Sequence, residues 1–201
     1  MYWEWDYGRA VVTATQVPVA PLPLLAAEPV TLAEGRRHLQ NAPVDDADLE
    51  RWIRTARYTV EQRTGYALVP QTWDLWLDVD SEYIYPGWIA LPLTPVTAIT
   101  EVATVDAVGA ETIVASSGYW VNAAARLPAL VFSSALAASH GVRVRYTAGL
   151  ADKTTIPPDL LTAIFWLIAH QFVHRGDVET VGDEPAGVTR ILERYVLPTV
   201  A

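Results

Sequence analysis

The chain has 201 residues, 51% of them hydrophobic and 18% charged, and a net charge of −9. That composition excludes a disordered chain, and the length supports one or two domains that need neither disulfides nor a metal to fold. The absence of cysteine excludes thiol nucleophiles and thiolate zinc sites, and the acidity argues against a surface that grips nucleic acid.

The acidity is uneven. Residues 70–141 carry seven acidic side chains and one basic, whereas residues 31–69 carry six of each. A chain made of unlike parts is therefore expected. The longest apolar run, residues 160–169, is about half of the ~20 residues a membrane-spanning helix needs, so no membrane partner is expected. The start of the chain, acidic and aromatic, lacks the basic lead of a signal peptide, which implies cytosolic synthesis.

Residues 1–30 read as an extended arm, because Pro18, Pro21, Pro23 and Pro29 interrupt any regular element. Tyr2, Trp3, Trp5 and Tyr7 precede those prolines, and so apolar an arm must pack on its own body or on a neighbour. Residues 31–69 read as two helices. Thr31 and Glu34 fit a capping box, and the first helix ends near Gln40. Asp45 or Asp46 caps the second. Leu49, Trp52, Ile53, Ala56 and Val60 give it one apolar stripe, and Gly65 stops it.

Residues 70–149 change to period two. From 72 to 79, Trp73, Leu75, Leu77 and Val79 alternate with Thr72, Asp74, Trp76 and Asp78, leaving Trp76 as an aromatic on the polar face. Further short strands are predicted at 88–91, 96–105, 111–115, 119–122, 129–133 and 142–147. Such spacing argues an antiparallel sandwich or barrel-like domain. Residues 156–176 return to helix behind Pro157 and Pro158, apolar nearly all round, and a short helix follows near 188–195. The fold class is therefore α+β: a helical bundle from the N- and C-terminal helices with an inserted antiparallel β domain. The expected divisions are 1–30, 31–69, 70–149 and 150–201.

Catalytic constellations are sparse. His170 and His174 could share a metal face, with Asp177 or Glu179 as the third ligand, but the intervening glutamate of a metalloprotease helix is missing. Ser139 and His140 are adjacent and point apart, a poor nucleophile–base pair. Asp74, Asp78 and Asp80 have the spacing of paired carboxylates, and equally that of a solvated sheet face. No glycine-rich phosphate loop is present. The expectation is no enzyme, no cofactor and no metal.

Interaction residues are better represented. Arg51, Arg54 and Arg57 form a stripe on the second helix, readable as a solvated paired face or as a partner face. Trp52, Trp73 and Trp166 fall on core phases, whereas Trp76, Trp3 and Trp5 are interface candidates. A rival reading is a carbohydrate-binding β-sandwich that uses Trp76, Trp88 and Trp120.

Several phrases then resemble one family in the right order. They are residues 28–34 (Glu-Pro-Val-Thr-Leu-Ala-Glu) with Asp45 and Asp46, residues 60–65 and 68–73, residues 91–96 with 99–102, residues 142–149, and residues 156–158 with Ala169, His170 and Arg175. Together, over about residues 28–176, they resemble the head–tail connector (adaptor) proteins of long-tailed bacteriophages and gene transfer agents. The segment from Asp177 onward matches loosely. The resemblance implies a structural neck protein of the particle, made in the bacterial host cytoplasm. It implies a homo-oligomeric ring, usually dodecameric, beneath the portal protein, which docks a stopper or tail-side protein and lets DNA pass through its bore. A net negative bore wall would repel phosphates and ease that passage. On this reading Ile191, Leu192, Tyr195, Val196 and Leu197 are expected to meet the portal. Trp3, Trp5, Arg51, Arg54, Arg57 and Trp76 are expected between subunits, and the acidic β insert on the outside of the ring.

Overall fold

The computed structural model describes residues 15–18, 28–78, 81, 84–85, 87–123, 125–134, 136, 140–150, 152–175 and 184–197. The chain divides into two units. One is helical, Pro23–Pro70 with Gly149–Leu197; the other contains the strands, chiefly Gln71–Ala148.

The helical unit begins at α1 (Leu32–His38) and α2 (Asp46–Thr64). Thr31 and Glu34 form the capping box: the Glu34 carboxylate accepts the Thr31 N–H at 2.8 Å, and the Thr31 hydroxyl accepts the Glu34 N–H at 3.2 Å. The Asp45 carboxylate accepts the Ala47 N–H at 2.8 Å, which satisfies one of the unpaired donors that every helix start exposes. Gly65 ends α2 at φ 71°, a left-handed conformation that glycine adopts without a steric penalty. Two more helices follow the strands, α3 (Pro158–Val173) and α4 (Ala186–Leu192). Leu49, Trp52, Ile53, Ala56 and Val60 of α2 are all buried, as their spacing requires. They share one core with Leu160, Ile164, Leu167 and Ile168 of α3 and with Val188, Ile191 and Leu192 of α4.

Two residues depart from the core expectation for α3. Trp166 is 43% exposed and Val173 is 70% exposed. The inward stripe is already filled by Leu160, Ala163, Ile164, Leu167 and Ile168, so Trp166 falls on its flank. Its ring lies over α4, where a Cβ on Gly187 would come 2.5 Å from it. An apolar sequence all round thus does not place this helix in the centre of the unit.

The strand unit holds two antiparallel sheets. The five-stranded sheet has the order β1-β2-β9-β5-β6, from β1 (Thr15–Pro18), β2 (Gln71–Asp78), β5 (Val96–Val105), β6 (Glu111–Ile113) and β9 (Gly141–Ala148). The four-stranded sheet has the order β3-β4-β8-β7, from β3 (Ile84–Tyr85), β4 (Trp88–Ala90), β7 (Tyr119–Asn122) and β8 (Ala129–Phe132). Each order is open, with two edges, so the barrel-like alternative is set aside. Strand β5 meets β9 with register shifts at Val96/Ala98 and Ile99/Glu101, irregularities that bend a strand instead of closing a cylinder. The period-two reading of β2 holds for the described residues: Trp73, Leu75 and Leu77 are buried while Trp76 and Asp78 are exposed, and Val79 lies outside the described residues. Their neighbours Val142, Val144 and Tyr146 on β9 are buried too.

Part of the expected arm is β1, which lines the edge of β2 from Trp73 to Trp76. Trp3 and Trp5 lie outside the described residues, as does the rest of the chain before Thr15. The chain returns to the helical unit at Gly149, whose φ is 133° and where a Cβ would stand 2.1 Å from the Val69 carbonyl oxygen. Only glycine fits that crossing. Among the described residues no helix is long and apolar enough to cross a membrane.

Candidate assembly interface

The residues expected at interfaces occupy very different environments. On α2, Arg51 is exposed and donates to Asp48 at 2.7 Å. Arg54 is half-buried, and its Nε donates to the Glu50 carbonyl at 3.4 Å. Arg57 breaks the stripe. It is 2% exposed, and its guanidinium donates from Nε to Glu28 at 3.0 Å and from Nη1 to Glu61. The reason is phase: Arg57 follows Ala56 and precedes Val60 and Glu61 on the inward side of the helix, all of them buried. The Glu61 carboxylate also accepts the Leu68 N–H at 2.8 Å, so one buried cluster ties α2 to the turn beyond it. Burial pushes the Glu28 carboxyl above its ordinary value, against the pull of Arg57. Of the expected stripe Arg51 is left exposed and Arg54 half-buried, with Tyr58, 47% exposed, also on α2.

The C-terminal group splits in the same way. Ile191, at 8% exposure, and Leu192, at 0%, belong to the helical core, because α4 buries its apolar side against α3. Tyr195 is half-buried and meets Tyr66 edge-on, ring centroids 6.1 Å apart. Leu197 is half-buried, and its N–H donates to the Thr64 carbonyl at 3.2 Å. Val196, 41% exposed, is the outward member of the group. Removing residues 188–201 would therefore strip three core side chains.

Trp76 is exposed, as its place on the polar face of β2 implies, and Arg143 lies over its ring at 5.6 Å. The register explains a network that the sequence reading missed. Asp74 stands opposite Arg145, which stands opposite Glu101; Trp76 stands opposite Arg143. Arg145 binds Asp74 through two parallel bonds, both 2.8 Å. Arg143 donates to Glu101 at 2.6 Å and also to Glu111. The Glu111 carboxyl is held below its usual range by hydrogen bonds from Arg143, and Arg143 is shifted upward in turn. The alternation of Arg143 and Arg145 on one strand, with Asp74 on another, was the available signal. The pairing of the two strands was not.

On the smaller sheet Tyr85, Trp88, Val131 and Trp120 share one row of the register. Tyr85 and Trp88 stack at 4.0 Å with 9° between their planes, and Trp120 is 55% exposed. Trp76 lies on the other sheet, so the three tryptophans of the carbohydrate reading do not form one strip.

Among the described residues the catalytic candidates do not assemble. His170 and His174 have ring centroids 4.4 Å apart, but among the described residues no group of three metal-ligating side chains gathers. Asp177, Glu179, Asp80 and Ser139 lie outside the described residues. Asp74 is engaged by Arg145, which leaves no open carboxylate pair with Asp78.

No protein-family model matches the chain, and no curated protein matches it in sequence. Solved structures do. The chain is similar at 28% identity to a chain of the virion of a native gene transfer agent particle, with a TM-score of 0.74 over 92% of this chain and 97% of that one. It is similar at 28% identity to a chain in the neck of the empty particle computed with C6 symmetry, with a TM-score of 0.73 over 93% of this chain and 97% of that one. It is likewise similar at 28% identity to a chain in the neck of the native particle computed with C12 symmetry, with a TM-score of 0.72 over the same shares.

Proposed function

We propose that this chain is a structural protein of a particle neck, a head–tail adaptor that forms a ring beneath the portal and docks the next neck protein. The observation that carries the reading is the likeness to neck chains of gene transfer agent particles, which extends over 93% of this chain and therefore over both of its units. Neck assemblies with sixfold and twelvefold symmetry support a ring, and a closed ring gives each subunit two different contact faces. The exposed apolar side chains suit that need: Tyr58 and Trp166 on the helical unit, Trp76 and Trp120 on the strand unit. Val196 and its neighbours Tyr195 and Leu197 are the part of the C-terminal group that faces the portal, since Ile191 and Leu192 hold the core. The acidic insert faces outward from the ring, and DNA passes through the bore without being gripped. The role is assembly, not catalysis.

Sedimentation velocity of the protein, alone and mixed with the portal of the same particle, tests the reading. A heavier complex with about one copy per portal subunit is expected. Portal that sediments unchanged beside a monomer at saturating concentration would overturn it. Val196→Glu should weaken that complex while leaving the circular dichroism spectrum unchanged.

A further inference from the structure

Strand β1 is a piece of the N-terminal arm, and it sits at the edge of the five-stranded sheet, paired antiparallel to β2 from Thr15↔Trp76 to Pro18↔Trp73. Without β1, half of the eight-residue edge of β2 would present bare N–H and C=O groups, the template for pairing with another chain. Nine residues separate Pro18 from Glu28, where the helical unit is anchored by Arg57. Their sequence includes Pro21 and Pro23. Such a stretch can span at most about 35 Å, more than the diameter of a small helix bundle. The sequence length between Pro18 and Glu28 therefore does not by itself confine β1 to its own body. The segment ahead of it, with Tyr2, Trp3, Trp5 and Tyr7, has a composition that must be covered, by its own body or by a neighbour.

We propose that β1 is an exchangeable strand: in the assembled protein it completes the β2 edge of an adjacent copy of this chain. Pairing in trans makes the same backbone bonds as pairing within one chain, so the choice is set by local concentration and tether length. Adjacent copies held in a ring supply that concentration, and a head-to-tail strand exchange closes after a full turn, leaving every β2 edge with a β1 strand. In the isolated chain β1 folds back and protects the edge. In the ring the same four residues become the inter-subunit clasp. This inference rests on the ring reading above, and its test separates the two.

Residues directly opposite each other in an antiparallel pair have Cα atoms about 4.5–5.5 Å apart, within disulfide reach. The chain has no cysteine, so introduced thiols report without background. Full-length Thr15→Cys and full-length Trp76→Cys are mixed, allowed to assemble alone and on portal rings, oxidised, and run on a non-reducing gel beside a sedimentation run. The expected result is a covalent heterodimer in the mixture, and a ladder of higher species from the chain that carries both substitutions. Val17→Cys with Asp74→Cys, two positions along the register, repeats the test should circular dichroism show that Trp76→Cys does not fold. A ring in the sedimentation run with no heterodimer, the doubly substituted chain closing on itself as a monomer, overturns strand exchange and leaves the neck reading standing. Monomers that give no heterodimer and do not enter a ring on the portal overturn both.

Discussion

In the helical unit Arg57 lies between Glu28 and Glu61, whose side chains are 9% and 4% exposed. In the strand unit Arg143 is nearly as buried, but Glu101 and Glu111, its closest partners, keep about a third of their side-chain surface in water, at 34% and 33%. The same chemical device, one guanidinium gathering carboxylates, is thus built in two solvents. Around Arg57 no carboxylate can turn to water, and the pair must hold for the core to hold. Around Arg143 the carboxylates retain an alternative. The difference assigns the Arg57 cluster to the stability of the fold and leaves the polar face of the sheet, with Trp76 on it, available for adjustment.

The sharpest way to break this comparison is to remove each arginine. Arg57→Ala leaves two buried carboxylates without their cation, and a loss of about 3–5 kcal/mol is expected. Chemical denaturation of the purified variant measures it, and a loss under about 1 kcal/mol would show that water reaches the cluster. Arg143→Ala should cost less, about 1–3 kcal/mol, because Asp74 keeps Arg145 and both glutamates can be hydrated. Equal losses at the two sites would erase the distinction. A smaller effect belongs to the start of α1. Thr31→Ala removes the hydroxyl that caps the Glu34 N–H and should cost about 1 kcal/mol, read as a drop in denaturation midpoint with unchanged slope.

These predictions also mark where sequence reasoning stopped. The capping box at Thr31, the stop at Gly65 and the apolar stripe from Leu49 to Val60 are local patterns, encoded within a few residues, and each is found in the structure. The alternation of β2 is local too. Arg57 was misread because a long cationic side chain next to apolar neighbours is compatible with either face, and only Glu28, 29 residues earlier, decides the matter. Trp166 was misread because apolarity reports preference for burial, while the number of inward places on α3 is fixed by its neighbours. Ile191 and Leu192 were assigned outward for the opposite reason: a short helix near the end of the chain gives no sign in its own sequence of the core it completes. The Arg143 network needed the register of four strands, and β1 needed an edge supplied by residues more than 50 positions away. Local chemistry was legible, and long-range pairing was not.

The smallest expected effect sharpens the comparison through pH. Two carboxyls of the helical unit move in opposite directions. Glu34 is held below its ordinary value by hydrogen bonds from the Thr31 backbone and hydroxyl, with Lys153 adding to them. Glu28 is pushed above its ordinary value of 4.5 by burial. A lowered carboxyl contributes stability that is complete above its unfolded value and is lost as pH falls through its folded value. A raised one contributes stability that is complete below 4.5 and is lost as pH rises through its folded value. Glu28→Gln removes the second component and leaves the first. Across about pH 3.5 to 7 the variant should gain on the parent as pH rises, because the parent alone must ionise a buried carboxyl. Denaturation midpoints of the two proteins over that range should therefore diverge above pH 4.5 in favour of the variant, and parallel curves would mean that Arg57 offsets the burial of Glu28 completely.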